Sequence, residues 1–173
     1  FDPEACPERT GEQSGTGGGS DQGKWLQAKL HRTRRRTLVD HGANVIFLPE
    51  PTASAAMISP LTFRKFILPR LQAITRKLDV PCVLHICGDT SPLLEDIGQA
   101  GADVISLDQC MNLAESRSMV PDAVLGGNVD PINALLYGSQ EQIEENTINC
   151  LQTAGIHHFV LMSGCGIPPG TPL

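Results

Sequence analysis

Three residues in this sequence have the type and spacing for metal chemistry. In PCVLHICGDT, residues 81–90, an apolar run delivers His85 and Cys87 one residue apart and then breaks at Gly88. Residues i and i+2 of a β-strand point to the same face. An imidazole and a thiol therefore emerge side by side where a strand gives way to a loop. Cys165, in VLMSGCGIPPGTP, also follows an apolar run and is also set between glycines. One His and two Cys make a zinc ligand set with one position left open, the catalytic rather than the closed structural arrangement. Buried thiols and a satisfied core histidine are the plain alternative for so loose a pattern. The flanking glycines, the strand-like runs before both sulfurs and the helix-length spacing between such runs favour the ion.

The elements that must position these groups alternate along the chain. Strand-like runs fall at about residues 44–48, 82–86, 103–107, 123–127 and 158–163. Helical patterns lie between them. SPLTFRKFILPRLQAITRKL opens on a Ser59 cap with Pro60 at the first helical position and should be interrupted near Pro69. SPLLEDIGQAG should open on a Ser91 cap; a short helix should cover 112–119, and PINALLYG and SQEQIEENTINCLQTAG should supply two more. Strict alternation means parallel strands joined by crossovers. Every residue with chemical potential falls at the C-terminal end of a strand: Glu50, then His85 and Cys87, Asp108, Asn128 with Asp130, and Cys165. A doubly wound sheet gathers its site at one switch point, whereas a (β/α)8 barrel draws on many strand ends at once. The expected fold is therefore an α/β barrel of the (β/α)8, or TIM, type.

Asp108 could be a fourth, displaceable ligand or a partner of His85, or a loop cap. Glu50, between two prolines, could position a substrate or accept a proton. Asn128 and Asp130 are candidates to contact a cofactor, as Asp89 is to support the ligands, although turn and cap formation explains all three equally well. His31, His41, His157 and His158 are expected to have no metal role.

Composition narrows the function class. The 173 residues are 40% hydrophobic and only 4% aromatic, enough for one core built from aliphatic side chains. A net charge of -6 argues against nucleic acid or an anionic membrane surface as partner. No apolar run reaches the ~20 residues that span a bilayer, and the N-terminus lacks signal-peptide order; the expectation is a soluble, cytoplasmic protein. The six cysteines, Cys6, Cys82, Cys87, Cys110, Cys150 and Cys165, are irregularly spaced and read as core residues or ligands. Residues 1–37 form an atypical, linker-like segment before a domain covering 38–173. Gly18 to Lys24 fits G-x-x-x-x-G-K, but Trp25 stands where a phosphate loop needs Ser or Thr and no strand precedes it. The arginine-rich run around Arg32 and Arg34–Arg36 reads as a solvated helix face.

LHICGDT, GADVISLD, LGGNVDP and SGCGIPPGTP together resemble the uroporphyrinogen decarboxylase superfamily, and within it the corrinoid-dependent, methylcobalamin:coenzyme M methyltransferase-like branch. GANVIFLPEPTASAAMISPLTF resembles the segment that precedes them there. The resemblance covers about residues 38–173. It implies a TIM barrel, here incomplete with about five of eight strands. It also implies a zinc ion held by His85, Cys87 and Cys165, and methyl transfer from a corrinoid carried by a partner protein to a small thiol such as coenzyme M, in one-carbon metabolism or methanogenesis. The competing readings are a metal-free decarboxylase-like barrel and a truncated, inactive product with a vestigial zinc site.

Overall fold

The structure, a computed structural model, describes residues 37–172. The linker-like segment, the phosphate-loop-like stretch, the arginine-rich run and Cys6 lie outside the described residues.

Five parallel strands form one sheet: β1 (Ile46–Pro49), β2 (Cys82–His85), β3 (Val104–Ser106), β4 (Leu125–Val129) and β5 (Phe159–Ser163). Their order in space is their order in sequence. A doubly wound sheet reverses direction at its switch point; an arc that advances by one strand at each crossover is the barrel arrangement.

The register divides the sheet into two faces. Leu48, Leu84, Ile105 and Leu125 are paired across four strands, and all are buried. This row packs in one core with Phe63, Leu71, Leu94, Ile97, Leu113 and Cys150 from the helices. The neighbouring row, on the other face, reads Pro49, His85, Ser106, Gly126 and Val160. Period-two alternation thus commits one face to helix packing and leaves the other to carry His85.

The first crossover runs from α1 (Pro60–Thr62) through a π-helical turn (Phe63–Ile67) into α2 (Leu68–Thr75). Ser59 accepts from the Thr62 amide and so caps the start, with Pro60 following it as the sequence implies. The interruption expected near Pro69 takes the form of that widened turn. Pro69 has no N–H for the preceding turn and its ring crowds the carbonyl four residues back, and a π turn relieves both. Arg64, within the π turn, reaches α3 (Leu94–Gly98), donating from Nε and Nη2 to the two carboxylate oxygens of Asp96 at 2.9 and 3.0 Å.

Two helix expectations need correction. Ser91 does not cap its helix: it lies inside a 3₁₀ turn (Ser91–Leu93), and its amide and hydroxyl both donate to the Asp89 carboxylate. Residues 131–137 form successive turns and not a helix. The Asp130 carboxylate takes the amides of Ile132 and Asn133, and the Leu135 and Tyr137 amides reach back five residues to Asp130 and Ile132. The Asp130 bonds are those of a helix cap, but the five-residue spacing of the amides that follow is not that of an α-helix, so the turns do not propagate as one. The remaining crossovers follow the pattern. Asn112 caps α4 (Leu113–Met119), and a Ser139–Gln142 capping box opens α5 (Gln140–Ala154). No helix among the described residues is long and apolar enough to cross a membrane.

Candidate metal centre

His85 is the last residue of β2, on the face away from the helices, and is buried. Its Nδ1 lies 3.0 Å from the Ser106 hydroxyl, the residue paired with it on β3. Its Nε2 lies 3.4 Å from the Cys87 sulfur. The imidazole is thus held by one nitrogen while the other faces a thiol, and the Phe47 ring of β1 stacks against it with centroids 5.9 Å apart. A ligating histidine is usually oriented in this way through its second nitrogen.

Beyond β2 the chain turns sharply at Gly88, whose φ of 81° is open to glycine and costly for other residues. The Gly88 amide donates to Asp108 Oδ2 at 2.8 Å, and Asp108 Oδ1 accepts from the Cys110 amide at 3.2 Å. Asp108 is buried at the end of β3, so its carboxylate clamps the turn that carries Cys87. Cys165 arrives from the far side. After β5 the Gly164 amide donates to Val129, and the Ser163 hydroxyl donates to the Cys165 carbonyl at 2.8 Å. A Cβ at position 164 would lie 2.4 Å from the Gln109 amide nitrogen, so only glycine lets this loop approach the end of β3 so closely.

His85, Cys87, Asp108 and Cys165 offer one donor atom each, and the four atoms all lie within 4.8 Å of one another. They come from the ends of β2, β3 and β5. The set spans somewhat more than the ~4 Å expected of donors sharing one ion through bonds of about 2.0–2.3 Å. Burial pushes the Cys87 thiol up, and the neighbouring Cys165 sulfur and Asp108 carboxylate push it further. Three groups that become negative on deprotonation oppose one another's charge, and a divalent cation relieves that opposition. One imidazole nitrogen, two sulfurs and one carboxylate oxygen are donors that suit zinc.

The other sequence candidates sit at strand ends but spend their polar atoms on the protein. The Glu50 amide donates to the His85 carbonyl at 2.8 Å and its carboxylate accepts the Thr52 hydroxyl; it is not one of the four gathered donors. The Asn128 amide group donates to the carbonyls of Asp108 and Met111. Asp130 accepts from Ile132 and Asn133, and these bonds hold its carboxyl below the usual range although partial burial acts the other way. His41, His157 and His158 are not in the cluster. The sequence reading passed over Ser106, and took Gly164 only as a glycine flanking Cys165. Ser106 could have been found as a polar residue inside an apolar run, two positions before Asp108 and so on its face; the close approach of Gly164 to Gln109 has no such mark in the sequence.

The sequence model of the uroporphyrinogen decarboxylase (URO-D) family matches residues 33–173. This chain belongs to that family. A methylcobamide:CoM methyltransferase of Methanosarcina mazei is 35% identical over 140 residues, 79% of this chain and 40% of the relative. A uroporphyrinogen decarboxylase of Microcystis aeruginosa is 34% identical over 151 residues, 84% of this chain and 42% of the relative. The solved structure of a methyltransferase from Methanosarcina mazei superposes with a TM-score of 0.81 at 32% identity, covering 88% of this chain and 45% of that one. The five-stranded arc is accordingly part of a URO-D-type barrel. The chain spans about two fifths of the length of the curated relatives it matches.

Proposed function

We propose that this chain carries the metal centre of a zinc-dependent methyltransferase that moves a methyl group from a methylated corrinoid to a small thiol. The observation that carries this reading is the convergence of His85, Cys87, Asp108 and Cys165 from three strand ends. Relatives named for methyl transfer and for uroporphyrinogen decarboxylation match almost equally well, so likeness alone does not choose between the two chemistries. The donor set supports the first. Decarboxylation of a polycarboxylate calls for cationic side chains around the substrate, whereas two sulfurs and an imidazole in contact are suited to a soft cation and a thiol.

In this reading His85, Cys87 and Cys165 would hold the ion, and Asp108 would offer it a fourth, displaceable donor. Zinc bound there would supply a thiolate near neutral pH by lowering the pKa of its thiol ligand. Ser106 keeps the His85 Nε2 lone pair directed at the ligand cluster by accepting from Nδ1. Asp108 fixes the Cys87 turn through Gly88. The methylated corrinoid would be the donor substrate: the thiol sulfur would take its methyl group, cobalt would keep the electron pair of the broken bond, and the thiol proton would leave to solvent. The corrinoid arrives on a partner protein that meets the strand-end loops, with Glu50 and Asp130 on that rim.

Metal analysis of the full-length protein, followed by incubation with methylcobalamin and coenzyme M, tests this. About one zinc per chain and a methylated thiol are expected. A protein that binds no zinc, or one that transfers methyl groups equally well after chelation, would refute it.

A further inference from the structure

We propose that Asn128 is a positioning residue for the ion site, holding the Asp108 loop and, through it, the Cys87 turn; this rests on the metal reading above. Asn128 touches none of the four donor atoms. It lies near the end of β4, 8% exposed, and its polar atoms are used in three directions. Nδ2 donates to the Asp108 carbonyl at 3.0 Å and to the Met111 carbonyl at 2.8 Å, and Oδ1 accepts from the Cys150 thiol of α5 at 3.6 Å. With both amide hydrogens used, no donor remains for a bound molecule.

The two carbonyls bracket a single turn, closed by the Met111 amide on the Asp108 carbonyl at 3.0 Å. Both ends of that turn reach across to the β2 loop. The Asp108 carboxylate holds the Gly88 amide, and the Met111 sulfur accepts from the Thr90 amide at 3.2 Å. Asn128 therefore acts on two of the four donors at one remove: on Asp108 through its backbone, and on Cys87 through Gly88. The primary amide of Asn128 offers two N–H groups in one plane to two carbonyls, with no charge to bury. An aspartate offers none and a serine one. The anchor on α5 connects this bracket to the helix layer, so the site is held from the most buried of the five described strands.

In the full chain, Asn128→Ala and Asn128→Ser are compared with the wild type by zinc competition against a chelator and by amide hydrogen exchange of the metal-free protein. In Asn128→Ala the Gly88 and Cys110 amides, both bonded to the Asp108 carboxylate, are expected to exchange about tenfold faster. The Ile105 and Leu125 amides of the sheet should keep their protection. Zinc affinity should fall by about 10 to 100-fold, the range for residues that support ligands. Asn128→Ser should fall between, and it carries the comparison if Asn128→Ala does not fold. In an Asp108→Ala background the further loss of affinity should largely vanish, because the path runs through that residue. Unchanged Gly88 exchange, or exchange that accelerates equally at Ile105 and Leu125, would overturn the proposal. A wild type that binds no zinc would instead remove the metal reading, and the local exchange pattern would still decide whether Asn128 holds the loop.

Discussion

β4 reads LGGNV and is buried along its whole length, whereas β5 beside it reads FVLMS, is more apolar, and leaves Val160 and Leu161 44% and 41% exposed. Side-chain hydrophobicity does not decide the difference. β4 lies between two strands and under α5, while β5 is paired on one side only among the described residues. Burial belongs to the position in the arc, and the donors divide accordingly. His85, Cys87 and Asp108 come from β2 and β3, inside the sheet, and Cys165 comes from the strand with least cover. Three donors are thus preset by the core, and the fourth depends on a loop held by Gly164, Ser163 and the close passage of Gln109.

Replacing a donor should break both sides of this comparison and gives the largest effect. Cys87→Ala and Cys165→Ala should each lower zinc affinity of the full-length protein by well over about 100-fold, more than any supporting residue. Competition titration checks it; equal affinity in either variant would remove that cysteine from the site. The contrast in stability comes next. Leu84→Ala, in a fully buried row, should cost about 2–5 kcal/mol, while Leu161→Ala on β5 should stay within about 0.5 kcal/mol. Urea unfolding of the two variants measures this, and similar losses would mean that β5 is covered as β4 is.

Ser106→Ala sharpens the account inside the sheet. Removing the hydroxyl 3.0 Å from His85 Nδ1 should weaken zinc by about 10 to 100-fold while Ser106→Thr, which keeps an acceptor, restores most of it. The smallest effect belongs to Cys110, exposed and outside the donor set. Cys110→Ser should change stability by no more than about 0.5 kcal/mol and leave zinc affinity untouched. In the metal-free protein local desolvation by the surrounding loop and the Asp108 carboxylate push the Cys110 thiol up to about 11. Its alkylation rate should therefore keep rising with pH beyond 9 and level off only above about 11, which a series of iodoacetamide reactions would follow.

The parallel sheet was legible because each strand is a short apolar run between turn residues, and the His85–Cys87 pair was legible because period two fixes which side chains share a face. The paired position of Ser106 was not. Register is set by sheet pairing, and nothing local tells that residue 106 lies opposite residue 85. The turns at 131–137 were misread as helix for a related reason. PINALLYG has helical composition and Asp130 receives the Ile132 and Asn133 amides as a helix cap would, but the Leu135 and Tyr137 amides then bond five residues back, a widened pairing that composition does not reveal. Asn128 and Asp130 look alike in sequence as polar residues past a strand, yet one braces the Asp108 turn from within and the other closes its own turn at the surface.

X-ray absorption at the zinc edge of the full-length, zinc-loaded protein reads the donor set itself. Two sulfur neighbours at about 2.3 Å and two nitrogen or oxygen neighbours at about 2.0–2.2 Å are expected, with a third sulfur replacing an oxygen when coenzyme M is added. A shell with fewer than two sulfurs, or one that does not change on adding the thiol, would contradict it.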